Sequence, residues 1–196
     1  MRIKLVSENY LELVTNRLTV LQTHQLRQII MNNLPTMAID SVDIIQNESN
    51  ISNSSLVMQV SMIPLEGDIS DQDVTMNLDV TNRSSDNLTI YSKDLLSSSN
   101  IYVAYHDIPI TVLSKNKALS FTAVAKKGTG ELHAKWRPVT IPIIKMVDNE
   151  IHIIIETINN ANPILLFIQA LELFKCKFEC DPGVVRQLIA ELKKYE

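Results

Sequence analysis

Cysteine, glycine and tryptophan are scarce in this chain: 196 residues hold two cysteines, four glycines and one tryptophan. Two thiols, Cys176 and Cys180, cannot make a disulfide framework. Their spacing puts them on one face of a helix, where they could share a metal. A zinc site needs about four ligands, and no second Cys/His pair stands at suitable spacing, so reduced thiols and no bound metal are expected. With so little glycine the chain has no Walker A sequence and no G-x-G-x-x-G. It also has no G-x-S-x-G elbow, and neither cysteine has the surroundings of a nucleophile.

Positive charge is short as well. Lys and Arg number 18 against 22 Asp and Glu, for a net charge of −4 and a pI near 5.6. Such a chain lacks the broad positive field that draws phosphates, so no direct nucleic-acid contact is expected. No apolar run approaches the roughly 20 residues of a membrane span. The start, Met1 to Glu8, breaks its apolar run with charge at once and does not read as a secretory leader. An intracellular protein is expected, with no membrane contact. Asn-x-Ser/Thr triplets at Asn47, Asn50, Asn53, Asn82 and Asn87 then read as chance in a stretch rich in Asn and Ser.

What remains is ordinary globular material. Apolar residues make up 45% and charged residues 20%, with a mean hydropathy of +0.06, enough to bury a core in one domain or two small ones. The pattern from Arg2 to Val14 predicts one or two short strands. Leu26, Ile29, Ile30 and Leu34 recur at helical spacing and predict a helix over Thr23–Leu34, capped by Thr23 and ended by Pro35. Met37–Ile45 reads as a strand, Asn47–Ser55 as a turn-rich segment and Leu56–Leu65 as an apolar run. Further strands are predicted at Val74–Val80, Leu88–Tyr91, Ile101–Tyr105, Ile108–Leu113 and Ala118–Ala125. Lys126–Pro138 reads as a loop. Ile141–Ile144 and Ile151–Ile158 form a pair split by a turn at Val147-Asp148-Asn149. Two helices close the chain: Asn162–Phe178, capped by Asn162 with Pro163 first, and Pro182–Tyr195, capped by Asp181. Helical ends and a β-rich middle result, most simply with the middle inserted into a domain built from the ends.

Candidate chemistry is sparse. His24 and His152 sit in a helix and a strand. Asp68, Asp71 and Asp73 lie close together without the glycine and closing glutamate of a calcium loop. The densest signal runs from Lys126 to Val139, K-K-G-T-G-E-L-H-A-K-W-R-P-V. Gly128 and Gly130 allow a tight path, and the single Trp136 follows between Lys135 and Arg137, a combination suited to anchoring a partner. The plainer reading has Trp136 covering a sheet end. The apolar helices leave the same choice: filling their own core or meeting another subunit.

The Lys126–Val139 stretch resembles a signature of the RNA polymerase alpha-like family, whose members include the archaeal D subunit and the eukaryotic third-largest subunit. Lys127, Gly128, Gly130, His133, Ala134, Lys135, Trp136, Pro138 and Val139 match it. Leu26-Arg27 with Leu34-Pro35-Thr36-Met37-Ala38-Ile39-Asp40-Ser41-Val42 resembles the family's first helix and following strand. Asn47-Glu48-Ser49 with Met62-Ile63-Pro64-Leu65, and Tyr91-Ser92-Lys93-Asp94-Leu95, are similar to two further motifs. The resemblance covers residues 1 to about 175. The chain departs from the pattern at Gln28, Asn53-Ser54, Met58-Gln59 and Ser61-Met62, and it lacks the cysteine-rich insert of some relatives. Such drift looks more like a large-DNA-virus polymerase subunit than a cellular one, with an archaeal origin as the other reading; the expected location is the cytoplasm, the nucleus or a virion.

The resemblance implies an α+β fold. A dimerisation domain of antiparallel sheet plus helices, residues 1–40 and 141–196, would be interrupted by a mostly-β inserted domain, residues 41–140. It implies a non-catalytic assembly platform with no cofactor and no metal. The platform would pair with a smaller alpha-like subunit, dock the second-largest polymerase subunit and neighbour a small zinc-binding subunit. Leu26, Ile29, Ile30, Leu166, Ala170, Leu171 and Phe174 are then the candidate dimer interface. Arg27, Gly128, Gly130, His133, Lys135 and Trp136 are the candidate docking residues, with the loop ordered by the assembly. The competing readings are a free-standing interaction module that keeps the fold without the polymerase, and, with least support, an enzyme.

Overall fold

A computed structural model describes residues 2–159, 161–178 and 182–195. The elements in chain order begin with β1 (Arg2–Val6), β2 (Tyr10–Thr15), α1 (Val20–Asn32), β3 (Pro35–Asn47), α2 (Asn53–Ser61) and β4 (Leu65–Glu66). Next come β5 (Val74–Thr81), β6 (Leu88–Tyr91), β7 (Leu96–Ser97), β8 (Tyr102–Val103), β9 (Pro109–Leu113) and β10 (Ala118–Thr129). The chain closes with β11 (Ile143–Val147), β12 (Glu150–Glu156), α3 (Pro163–Lys177) and α4 (Pro182–Leu192). These elements fall into two compact units. One comprises Met1–Leu34 and Thr129–Glu196, and the other Pro35–Gly128.

In the unit built from the chain ends, four antiparallel strands stand in the order β1-β2-β12-β11. Alternation along β2 and β12 sends Leu11, Leu13, Ile151, Ile153 and Ile155 into the core. There they join Leu26, Ile29 and Ile30 of α1, Leu166, Phe167, Ala170, Leu171 and Phe174 of α3, and Val185, Leu188 and Leu192 of α4. A helix apolar over much of its girth needs cover on several sides, and α3 finds it against α1, α4 and β2. The β11–β12 hairpin turns on Asp148 and Asn149, with φ of 49° and 65°. Two left-handed residues in a two-residue loop are the turn that matches the strand twist.

The helix limits follow from their caps. Thr19, not Thr23, caps α1: its hydroxyl accepts from Gln22 N–H at 3.2 Å, and the Gln22 side chain accepts from Thr19 N–H at 2.9 Å. This reciprocal box outcompetes a cap four residues later. Thr23 sits inside the first turn, where its hydroxyl donates to Thr19 O. Asn162 caps α3 through Ile164 N–H, with Pro163 leading the helix. Asp181 and Cys180 lie outside the described residues.

The middle unit carries a sheet ordered β3-β10-β5-β7, two short ladders (β4-β8 and β6-β9) and α2. Val74, Met76 and Leu78 face its core along β5, with Phe121, Ala123 and Ala125 on β10. Three sequence expectations change here. The segment read as a turn and an apolar run is the helix α2: Ser52 caps it by accepting from Ser55 N–H, and Leu56 and Val60 bury together at i, i+4 spacing. The strand expected over Ile101–Tyr105 shrinks to Tyr102–Val103. The expected loop from Lys126 starts later, because β10 continues to Thr129. Asn82 is buried, its amide donating to the carbonyls of Asp86 and Leu113, so that triplet shapes a loop from within.

The unit limits fall at 34/35 and 128/129, whereas residues 40/41 and 140/141 were the expected breaks. Burial explains the difference. Met37 and Ile39 of β3 belong to the core of the middle unit, and Val139 belongs to the core of the other, bridged to Thr157.

Candidate subunit-docking surfaces

The signature loop is built on the end of α1. The last turn of a helix leaves carbonyls without helical partners, and Glu131 N–H donates to Asn32 O at 3.0 Å. Gly130 passes so close that a Cβ placed on it would stand 2.1 Å from Met31 O. Asn33 Nδ2 reaches the Glu131 carboxylate at 3.4 Å. Leu132 N–H closes a turn on Thr129 O. His133 Nδ1 then accepts from Lys135 N–H at 3.1 Å, so the neutral ring carries its proton on Nε2 and caps the 3-10 turn Ala134–Trp136. Lys135 Nζ lies 4.3 Å from the Trp136 ring centroid, a cation–π contact. Ile158 N–H donates to Pro138 O and Thr140 N–H to Glu156 O, which fastens the loop's exit to the end of β12.

This geometry corrects the view of a loop ordered by its assembly. The single chain already holds it at both ends, and Trp136 is only 7% exposed. Its outward side chains include Glu131, Leu132 and His133. Arg27 also works inside the chain, its Nε donating to Pro142 O at 3.0 Å and so setting the approach to β11. Gly128 is buried in the middle unit.

The seven candidate interface residues Leu26, Ile29, Ile30, Leu166, Ala170, Leu171 and Phe174 are all buried in the core of their own unit. A side chain already covered by its own chain offers a partner no apolar surface to bury. The outward positions are instead Val20, Leu21, His24 and Gln28 on α1, and Leu165, Gln169, Glu172, Lys175, Cys176 and Lys177 on α3.

Two surfaces had no clear sequence signal. A groove of about 520 Å³ lies between α2 and β9, lined by Ser55, Met58, Gln59, Met62, Ile108 and Pro109 among others. Met58 is 70% exposed. Its i, i+4 relation to Met62 would have marked an outward helical stripe had α2 been foreseen. The second surface is the edge strand β11, with Ile143, Met146 and Val147 exposed, as is the preceding Ile141.

On the outer face of the sheet, Glu12 accepts from Lys4 Nζ at 2.9 Å and stands 3.3 Å from His152 Nδ1. The Lys4 hydrogen bond, then that of His152, holds the Glu12 carboxyl below the usual carboxylate range. Among the described residues no three His, Cys, Asp or Glu side chains gather as metal ligands. No helix among them is long and apolar enough to cross a membrane.

Residues 31–146 match the profile of the RNA polymerase Rpb3/RpoA insert domain. The chain belongs to that family. Among its relatives is the DNA-directed RNA polymerase subunit Rpo3 of Methanocaldococcus jannaschii, 29% identical over 159 residues, covering 80% of this chain and 81% of the relative. Rpo3 of Methanobrevibacter smithii is 34% identical over 132 residues, which is 61% of this chain and 48% of that subunit. Rpo3 of Pyrococcus horikoshii is 30% identical over 143 residues, or 67% and 54%. The chain thus spans about half the length of the second and third of these relatives. The segment shared with the family contains the whole middle unit and the loop that ends at Val139.

Proposed function

We propose that this chain is a non-catalytic assembly platform of a multisubunit DNA-dependent RNA polymerase. The carrying observation is the match of residues 31–146 to the polymerase insert-domain family, joined to 29% identity with one Rpo3 over 80% of the chain. In this reading the unit of the chain ends pairs with a smaller alpha-like subunit. The middle unit docks the second-largest subunit, and a small zinc-binding subunit is a further neighbour. Catalysis and nucleic-acid contact belong to the largest subunits, in keeping with the acidic charge of this chain.

The internal use of the seven core residues refines where the pairing surface lies. Their role is to hold α1 and α3 in place, and the contact with the smaller subunit falls on the outward stripe that includes Leu21 and Leu165. Loop residues Leu132 and His133 and the exposed Met58 and Met62 are the corresponding outward groups for docking. The viral reading rests on the departures at Gln28, Asn53-Ser54 and Met58-Gln59. Intracellular residence follows from the polymerase role.

Purification through a tag on this chain is the test. Recovery of the two largest polymerase subunits and a smaller alpha-like chain in fixed stoichiometry is expected. A chain that elutes with no polymerase subunit would instead be the free-standing interaction module, which the drift at Gln28 and Met58-Gln59 favours.

A further inference from the structure

The two free edges of the β1-β2-β12-β11 sheet are unlike. Edge strands invite pairing by other chains unless charge, bulges or proline blunt them. The β1 edge is blunted in two ways. Its register shifts between Ile3 and Leu5, and Arg2 and Lys4 stand on it in ion pairs with Glu150 and Glu12. The β11 edge keeps unbroken register with β12 from Ile143 to Val147. Its one charge is Lys145, which has no ion-pair partner among the described residues. Large apolar side chains flank that lysine in the open, Met146 at 58% and Ile143 at 46% exposure.

The backbone is also set for pairing. Residues flanking a two-residue hairpin loop exchange both backbone hydrogen bonds, and the pattern alternates from there. Val147, Lys145 and Ile143 therefore bond to β12, while the N–H and C=O groups of Ile144 and Met146 point to the open edge. The Arg27 bond to Pro142 O holds the approach to the strand in place.

We propose that β11 is a strand-addition edge that takes an extended, alternately apolar segment of another polymerase chain, with a carboxylate opposite Lys145. Ile153 and Ile144 face the core, so Ile143, Lys145 and Val147 share the opposite sheet face. The incoming strand meets Lys145 between two apolar neighbours on that face. Charge decides against a second copy as occupant. Antiparallel pairing of β11 with itself over its full length sets Lys145 across from Lys145, and like charges directly opposite are destabilising. The proposal rests on the polymerase reading above.

The experiment is amide hydrogen exchange on the isolated chain and on polymerase purified through its tag. Slowing of the Ile144 and Met146 amides by about tenfold or more in the complex is expected, with Ile143, Lys145 and Val147 slow in both states. Met146→Pro, whose lost N–H points away from β12, should leave the isolated chain folded and lower its retention in the polymerase. Lys145→Glu should lower retention without touching the backbone. Polymerase recovered with Ile144 and Met146 exchanging as fast as in the free chain would overturn the proposal. So would protection that appears in the isolated chain and grows with its concentration, the mark of a second copy. Unchanged retention of both variants would overturn it as well. Failure to recover any polymerase subunit is a different result: it overturns the platform reading itself, and this proposal with it.

Discussion

Phe167, Leu171 and Phe174 on α3 share a core with Leu11 and Leu13 on β2, and the two sides come from opposite ends of the chain. In the middle unit, Met76, Leu78 and Phe121 belong to a continuous stretch that folds strand upon strand, with α2 as its one α-helix. The first unit is a helical layer over one four-stranded sheet; the second divides its strands among a larger sheet and two short ladders. The contrast shows how differently apolar surplus is disposed of. The helices of the end unit look oversupplied with apolar residues in sequence, yet their own core absorbs nearly all of them. Among what remains exposed are the strand edge β11, Leu21 of α1 and, in the middle unit, the outer turn of α2.

The largest effects should come from the two cores. Phe174→Ala and Phe121→Ala each remove a fully buried ring and should cost about 3–5 kcal/mol. Chemical denaturation followed by site-resolved exchange should show each loss concentrated in its own unit; equal loosening of both would break the comparison. Leu26→Asp or Leu171→Asp would bury an unpaired charge and should unfold the end unit. A folded Leu171→Asp chain that merely fails to pair would return that residue to the interface.

Close backbone approaches rank next. Gly130→Ala sets a Cβ 2.1 Å from Met31 O in the end unit, and Gly67→Ala sets one 2.2 Å from Asn100 O in the middle unit. Overpacking of this kind costs about 1–3 kcal/mol. Gly67 should be the worse of the two, because its φ of +121° adds backbone strain. Equal shifts in denaturation midpoint would remove that distinction. Caps come third: Thr19→Ala and Ser52→Ala should each cost about 1 kcal/mol, read by thermal unfolding.

The smallest effects are electrostatic. Glu12 and Asp71 are both held below the ordinary carboxylate range, each chiefly by a lysine hydrogen bond, from Lys4 and Lys127. A carboxylate with a depressed folded pKa stabilises the fold above its unfolded pKa, and that stability is lost as pH falls through the folded value. The window therefore opens below the ordinary 4.5 for Glu12 and 3.8 for Asp71. Glu12→Gln should flatten the acid side of the stability curve. Asp71→Asn should barely alter it, since the Asp71 side chain is 88% exposed and that of Glu12 only 13%. Denaturation midpoints between pH 3 and pH 7 check the difference.

Much of this molecule was legible from local rules. Asn162-Pro163 marked the start of α3, the alternation of Val74, Met76 and Leu78 marked β5, and Val147-Asp148-Asn149 marked the hairpin, because caps, pleats and turns depend on neighbours a few residues apart. The order of motifs from Leu26-Arg27 to Lys135-Trp136 placed the chain in its family for a different reason: such a series is specific as text, whatever each residue touches. Where each apolar face goes was not legible. Leu26 and Leu171 read as surplus in sequence and became core when α3 met α1, α4 and β2 from far along the chain. Trp136 and Arg27 read as docking groups and are engaged within the chain. Conversely, β11 read as half of a quiet hairpin and stands as an open edge, because sheet order is set by long-range pairing. Local chemistry chose the elements and their ends; burial, a property of the whole chain, decided which of their faces remain for other molecules.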